Sequence, residues 1–145
     1  MMKRKEAREE LLCLLFEAEF RPDESAEDIY AISAENRQIP EIDYVKTGFF
    51  TIQKNRDKID ELIGAHSKGW KISRMTRISR SILRLCVWEM LYEKIPYAAS
   101  INEAVELAKK YDEDKARAFI NGILNSVKEQ LESEGEGEKA PGAGE

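Results

Sequence analysis

Residues 78–111, "ISRSILRLCVWEMLYEKIPYAASINEAVELAKKY", decide the fold. On a helical wheel Ile78, Ile82 and Leu85 fall within about 60° of one another, with Arg77, Arg80 and Arg84 on the opposite side. Past Val87 the apolar residues spread around the whole helix, which predicts that its second half lies at the centre of the domain. Pro96 breaks the helix. Ser100 and Glu103 then make a capping-box pattern that opens a second helix, with Ile101, Ala104, Val105 and Ala108 facing inward. Neither half shows the period-two alternation of a strand.

The same period extends outward in both directions, so an all-α fold is expected. Downstream, an acidic turn "DEDK" leads into a last helix, "ARAFINGILNSVKEQL". Gly122 inside it costs about 1 kcal/mol relative to alanine, which predicts close backbone packing against a neighbour. Upstream, the segment from about Met75 to Tyr92 is expected to be the longest helix. A first helix, inward through Ala7, Leu11, Leu14, Leu15 and Ala18, runs to about Phe20 and stops before Pro22. Ser25 with Asp28 opens a short helix to about Glu35. After Pro40, Val45, Phe49 and Ile52 mark a helix from Ile42 to about Asn55, and Ile59, Leu62 and Ile63 mark another. Gly64, His66 and Gly69 then form a turn region.

The chain has 145 residues, 42% of them hydrophobic and 35% charged, and no apolar run of membrane-spanning length. Glutamates at 6, 9, 10, 17 and 19 interrupt what a secretory signal would keep apolar, so a cytoplasmic protein is expected. Cys13 and Cys86 each lie in an apolar helical segment and are expected to pack in the core. The net charge is −5, but six of the 28 acids and one of the 23 bases lie in residues 129–145, leaving 22 of each before them. The body is neutral. Residues 133–145, rich in Gly, Glu and Ala without large apolar side chains, are expected to be a disordered tail behind a domain of residues 1–132.

Catalysis finds little support. The chain has a single histidine, no glycine-rich phosphate loop and no Cys/His spacing that holds a metal, so no catalytic residue, cofactor or metal is expected. His66 reads as a surface residue of a turn.

Binding is better supported, on electrostatic grounds. Lys3, Arg4, Lys5 and Arg8 crowd the start of the first helix, the end where the helix dipole disfavours positive charge. Arg4 and Arg8 form a like-charge pair without a carboxylate three or four residues further on, so a compensating group outside the helix is expected. A solvated, frayed N-terminus is the plainer alternative. Between Glu61 and Glu89 there is no acid, while Lys68, Lys71, Arg74, Arg77, Arg80 and Arg84 fall in the gap. Arg84 approaches the buried half of its helix and is expected to have an internal partner. Tyr111 ends one helix and Lys115, Arg117 and Phe119 open the next across the acidic turn, residue types that can hold splayed single-stranded bases; read from the residues alone, Tyr111 and Phe119 are expected instead to pack on each other under the turn.

Three segments together carry a resemblance: "KRKEAREELLCLLFEAEF" at the start, residues 78–111, and "FINGILN" near the end. From residue 3 to about 128 the chain resembles the NusB family of bacterial transcription antitermination factors. The resemblance implies about six to seven helices in two packed bundles. It also implies binding of the boxA element of nascent RNA together with the small-subunit ribosomal protein that acts as NusE. That role belongs to an antitermination complex on RNA polymerase, notably on ribosomal RNA operons. By this resemblance Lys3, Arg4, Lys5 and Arg8 contact RNA, as do Tyr111 and Phe119 with Lys115 nearby. Asp112, Glu113 and Asp114 oppose phosphate beside that second site. A helical scaffold that binds only protein, without RNA contact, is the competing expectation.

Overall fold

The helical periods of the sequence become seven α-helices in a computed structural model, which describes residues 3–37, 43–93 and 95–135. They are α1 (Arg4–Glu19), α2 (Ala26–Arg37), α3 (Asp43–Lys54), α4 (Arg56–Ala65), α5 (Arg77–Tyr92), α6 (Tyr97–Tyr111) and α7 (Asp114–Ser133), with a 3-10 turn at Ile72–Arg74. No strand occurs among the described residues. The helices divide into two units, α1 to α3 and α4 to α7, with the boundary after Arg56.

In the first unit α1, α2 and α3 pack on one another. Leu11, Leu14, Leu15 and Ala18 of α1 are buried, as are Ile29 of α2 and Val45, Phe49 and Ile52 of α3. Tyr30 reaches across to Phe50, ring centroids 5.4 Å apart. Ser25 caps α2 as its spacing predicts, its Oγ accepting from the Asp28 N–H at 3.1 Å. Glu17 joins α1 to α2, accepting from Ser33 Oγ at 2.6 Å and from Arg37 at 3.2 Å.

In the second unit α5 is the central element, buried from Ser81 through Met90 and packed against α6 and α7. The apolar spread past Val87 is the cause: with no polar face, that half stays out of water only if neighbours surround it. Its two buried charged side chains, Arg84 and Glu89, are paired. Arg84 has the internal partner expected of it, holding Asp60 of α4 through Nε to Oδ1 at 2.7 Å and Nη2 to Oδ2 at 2.8 Å. Glu89, fully buried, accepts from Ser100 Oγ.

That last bond corrects the sequence reading of α6. The helix starts at Tyr97 with Pro96 as its N-cap, so Ser100 lies inside the first turn and caps nothing. Its hydroxyl serves the buried Glu89 carboxylate, a demand invisible in a one-dimensional pattern. α7, with 20 residues, is longer than α5, with 16: α5 begins at Arg77, after the 3-10 turn, and α7 extends two residues beyond the expected segment at each end. Cys86 is in the core as expected, but Cys13 is exposed. Partial desolvation nonetheless pushes the Cys13 thiol pKa up, keeping it protonated near neutrality. α7 continues through Ser133, into the first residue assigned to the tail, while the disorder expected for 136–145 and the α3 start at Ile42 lie outside the described residues.

Breaking a buried pair strands one charge, so Asp60→Ala is expected to cost about 3 kcal/mol in chemical denaturation. Replacing both partners, Asp60→Leu with Arg84→Met, is expected to recover most of that loss.

Candidate nucleic-acid interface

The turn after α4 is held from two sides. His66 bridges to α7: its Nε2 lies 2.5 Å from Gln130 Oε1 and its Nδ1 2.6 Å from Ser126 Oγ. With the Gln130 oxygen as acceptor, Nε2–H donates and Nδ1 of a neutral ring accepts from the serine hydroxyl. His66 is therefore a clasp between two helices, not the surface residue its position in a turn suggests. Buried Ser67 closes the loop, its Oγ within 3.0 Å of the Gly64 carbonyl and 2.5 Å of the Trp70 carbonyl. Lys68 and Gly69 both adopt positive φ, 52° and 89°, which turns the chain sharply outward. On the far side Arg80 Nη1 donates to the Met75 carbonyl at 2.9 Å and the Ile72 carbonyl at 3.3 Å, fixing the 3-10 turn.

Held this way, the turn presents Trp70, 56% exposed, against Phe119 of α7. The rings meet edge to face, centroids 6.1 Å apart and planes at 72°. Two recesses share this pair as a common wall. One, about 300 Å³, is lined by Arg74 and Lys115 and also by Ser79, Asp112 and Glu113. The other, about 280 Å³, is lined by His66, Lys68 and Gly122. An apolar ring pair edged with cations has the chemistry to stack bases and hold phosphates.

Phe119 and Lys115 are thus brought together, but Tyr111 is not part of this pair. Tyr111 is exposed at the end of α6, where Lys110 Nζ stands 5.3 Å from its ring centroid. The ring packed on Phe119 is Trp70, which sequence reasoning passed over. Its signal was there: a tryptophan between Gly69 and Lys71, inside the acid-free run, in a turn where burial is hard to arrange.

The acidic turn opposes anions less than its composition suggests. Asp112 accepts from Ser79 Oγ at 2.5 Å and from the Glu113 N–H at 2.8 Å. Asp114 pairs with Arg117 at 3.2 Å. Two of the three carboxylates therefore already have donors.

The basic start of α1 is compensated from within. Glu6 accepts from the Lys3 backbone N–H at 2.9 Å, placing an anion in the first turn. Arg4 lies over the Tyr44 ring of α3, its Cζ 4.3 Å from the centroid, so a group outside the helix but within the protein meets its charge in a cation–π contact. Lys3, Arg4 and Lys5 are exposed, whereas Arg8 is buried and engaged within the protein. No group of three or more His, Cys, Asp or Glu with metal-binding geometry occurs among the described residues, and no described helix is long and apolar enough to cross a membrane.

Residues 5–129 match the NusB family. A transcription antitermination protein NusB from Natranaerobius thermophilus is 44% identical over 135 residues, covering 90% of this chain and 97% of the relative. The structure is similar to that of Thermotoga maritima NusB, with a TM-score of 0.78 and 31% identity over 90% of this chain and 98% of the other. A further similar structure contains antitermination factors NusB and NusE in complex with double-stranded RNA, with a TM-score of 0.77 and 29% identity over 90% and 99% of the two chains.

Gly122 is not the close-packing position its helix cost predicts. It is exposed, and an added Cβ meets no atom within 4 Å. Gly122→Ala is therefore expected to raise stability by about 0.5 to 1 kcal/mol, read as a higher Tm in a thermal melt.

Proposed function

Because this chain belongs to the NusB family, we propose that it is a transcription antitermination factor that binds boxA RNA together with a NusE-type small-subunit ribosomal protein. It works in an antitermination complex on RNA polymerase in the cytoplasm and supports transcription of ribosomal RNA. The observation that carries the reading is the Trp70–Phe119 pair, an exposed aromatic edge with Lys115, Arg74 and Lys68 around it.

In this reading the ring pair stacks unpaired bases, while Lys115 takes a flanking phosphate. Tyr111, exposed at the end of α6, contacts the same strand at its edge. The tip of α1 is a second contact, where Lys3, Arg4 and Lys5 meet the backbone. The Arg4 guanidinium is prepositioned by Tyr44, which lowers the entropy lost on binding. Arg8, being buried, supports that tip from beneath. The protein's part is positioning, without chemistry on the RNA.

A protein-only scaffold is favoured by one observation. Phe16 and Phe20 stack edge to face, 5.1 Å between centroids, on an exposed stripe of α1. Such a surface suits a protein partner and is compatible with the NusE-type contact of the main reading.

Titration of a fluorescent boxA RNA at two salt concentrations, with and without the NusE-type partner, tests the proposal. Binding is expected to weaken as salt rises and to strengthen with the partner. Trp70→Ala and Phe119→Ala should each cost about 1 to 3 kcal/mol of RNA affinity. Exchanging Lys3, Arg4 and Lys5 for glutamine should flatten the salt dependence by about one unit per lost phosphate contact. Unchanged affinity in all of these variants would leave the scaffold reading in place.

A further inference from the structure

α7 has a second surface, distinct from the aromatic recesses. Beside the face that carries Phe119, a groove of about 550 Å³ runs between α6 and α7. Asn102 of α6 and Asn121, Asn125, Arg117 and Lys128 of α7 line it, with no carboxylate in its walls. The sequence explains the charge: from Lys115 through Lys128 α7 carries no acid. Asn125 Nδ2 is directed to Asn121, bonding its backbone carbonyl at 2.8 Å and Oδ1 at 3.1 Å, which holds the amide pair in a fixed orientation.

This groove adjoins the recess beside the Trp70–Phe119 pair, because Ala118 lines both. Next to Ala118, one turn on, is Gly122, which also lines that recess and has open space above it. The ridge of α7 that separates groove from recess therefore has no side chain longer than a methyl at these two positions. Packing does not require Gly122, and the helix is weaker for it.

We infer that single-stranded RNA leaving the aromatic pair crosses α7 over Ala118 and Gly122 and continues in the α6–α7 groove. There Lys128 meets a phosphate, with Arg117, which also holds Asp114, beside it, and Asn121, Asn125 and Asn102 hydrogen-bond to sugar or base edges. The groove's lack of acids and its fixed amides match a polyanion with hydrogen-bonding edges better than an apolar peptide. The bare ridge at Gly122 is what lets the strand pass from one to the other. This inference rests on the RNA-binding reading above.

The test uses the full chain with the NusE-type partner and three fluorescent RNAs: a boxA core, and the same core extended by four nucleotides at its 5′ or its 3′ end. One extended RNA is expected to bind at least threefold more tightly than the core. Lys128→Gln and Asn125→Ala, both confined to the groove, should each abolish that gain and leave binding of the core unchanged, with Lys128→Gln also lowering the salt slope for the extended RNA by about one. Far-ultraviolet circular dichroism and a thermal melt establish that both variants fold. Tight binding of the core with no gain from either extension overturns the inference and leaves the parent reading standing. Equal losses on core and extended RNA overturn it as well, and so does a loss of partner affinity without any change in RNA affinity, which assigns the groove to protein. Failure of the unmodified protein to bind the core overturns both readings together.

Discussion

The candidate interface depends on a carboxylate of α4 held by a guanidinium of α5. Arg84 sits on a helix that is buried on every side along its central part, and Asp60 is the anion it grips. That pair ties the middle of α4 to α5. The chain must then pass from α4 to α5 through the turn that carries Trp70, and the His66 clasp on Ser126 and Gln130 fixes the turn against α7. Trp70 meets Phe119 because both ends of its loop are pinned. An exposed aromatic residue on an unpinned loop would lose considerable freedom on stacking a base; here most of that ordering is complete before binding.

Charge in this protein is arranged locally. Cations that look unpaired along the sequence meet groups that the fold supplies, such as Tyr44 beneath Arg4, Asp60 against Arg84, and backbone carbonyls around Arg80. Acids that look hostile to RNA are partly occupied in the same way, Asp112 by Ser79 and Asp114 by Arg117. The net charge of −5 therefore says little about what any one surface attracts. The acid-free stretch of α7 and the lysines around the Trp70 turn set the local potential, and at physiological salt only charges within about 8 Å act strongly on a bound phosphate.

Two departures from the sequence reading arise from opposite tertiary surroundings. Ser100 has the spacing of a capping residue, yet a buried glutamate claims its hydroxyl. A cap is worth about 1 kcal/mol, whereas an unpaired buried carboxylate costs more than that, so the helix starts four residues earlier, at Tyr97, and leaves the serine to Glu89. Gly122 shows the converse. Its helix cost is legible in the sequence, but the usual explanation, a neighbouring backbone, fails because that side of α7 is open.

What the sequence by itself determined was the class of fold, the order of its helices, and the burial of α5. Those follow from local periodicity and from proline, and local rules can be read in one dimension. Through the family resemblance it also proposed Phe119, Lys115 and the basic start of α1 as RNA contacts. Only the tertiary structure decided which of them meet. It set Trp70 and not Tyr111 against Phe119, buried Arg8, made His66 a clasp and exposed Cys13. Each of those outcomes depends on which residues distant in the chain are brought within a few ångströms, and hydrogen bonds, ring contacts and desolvation act only over that range.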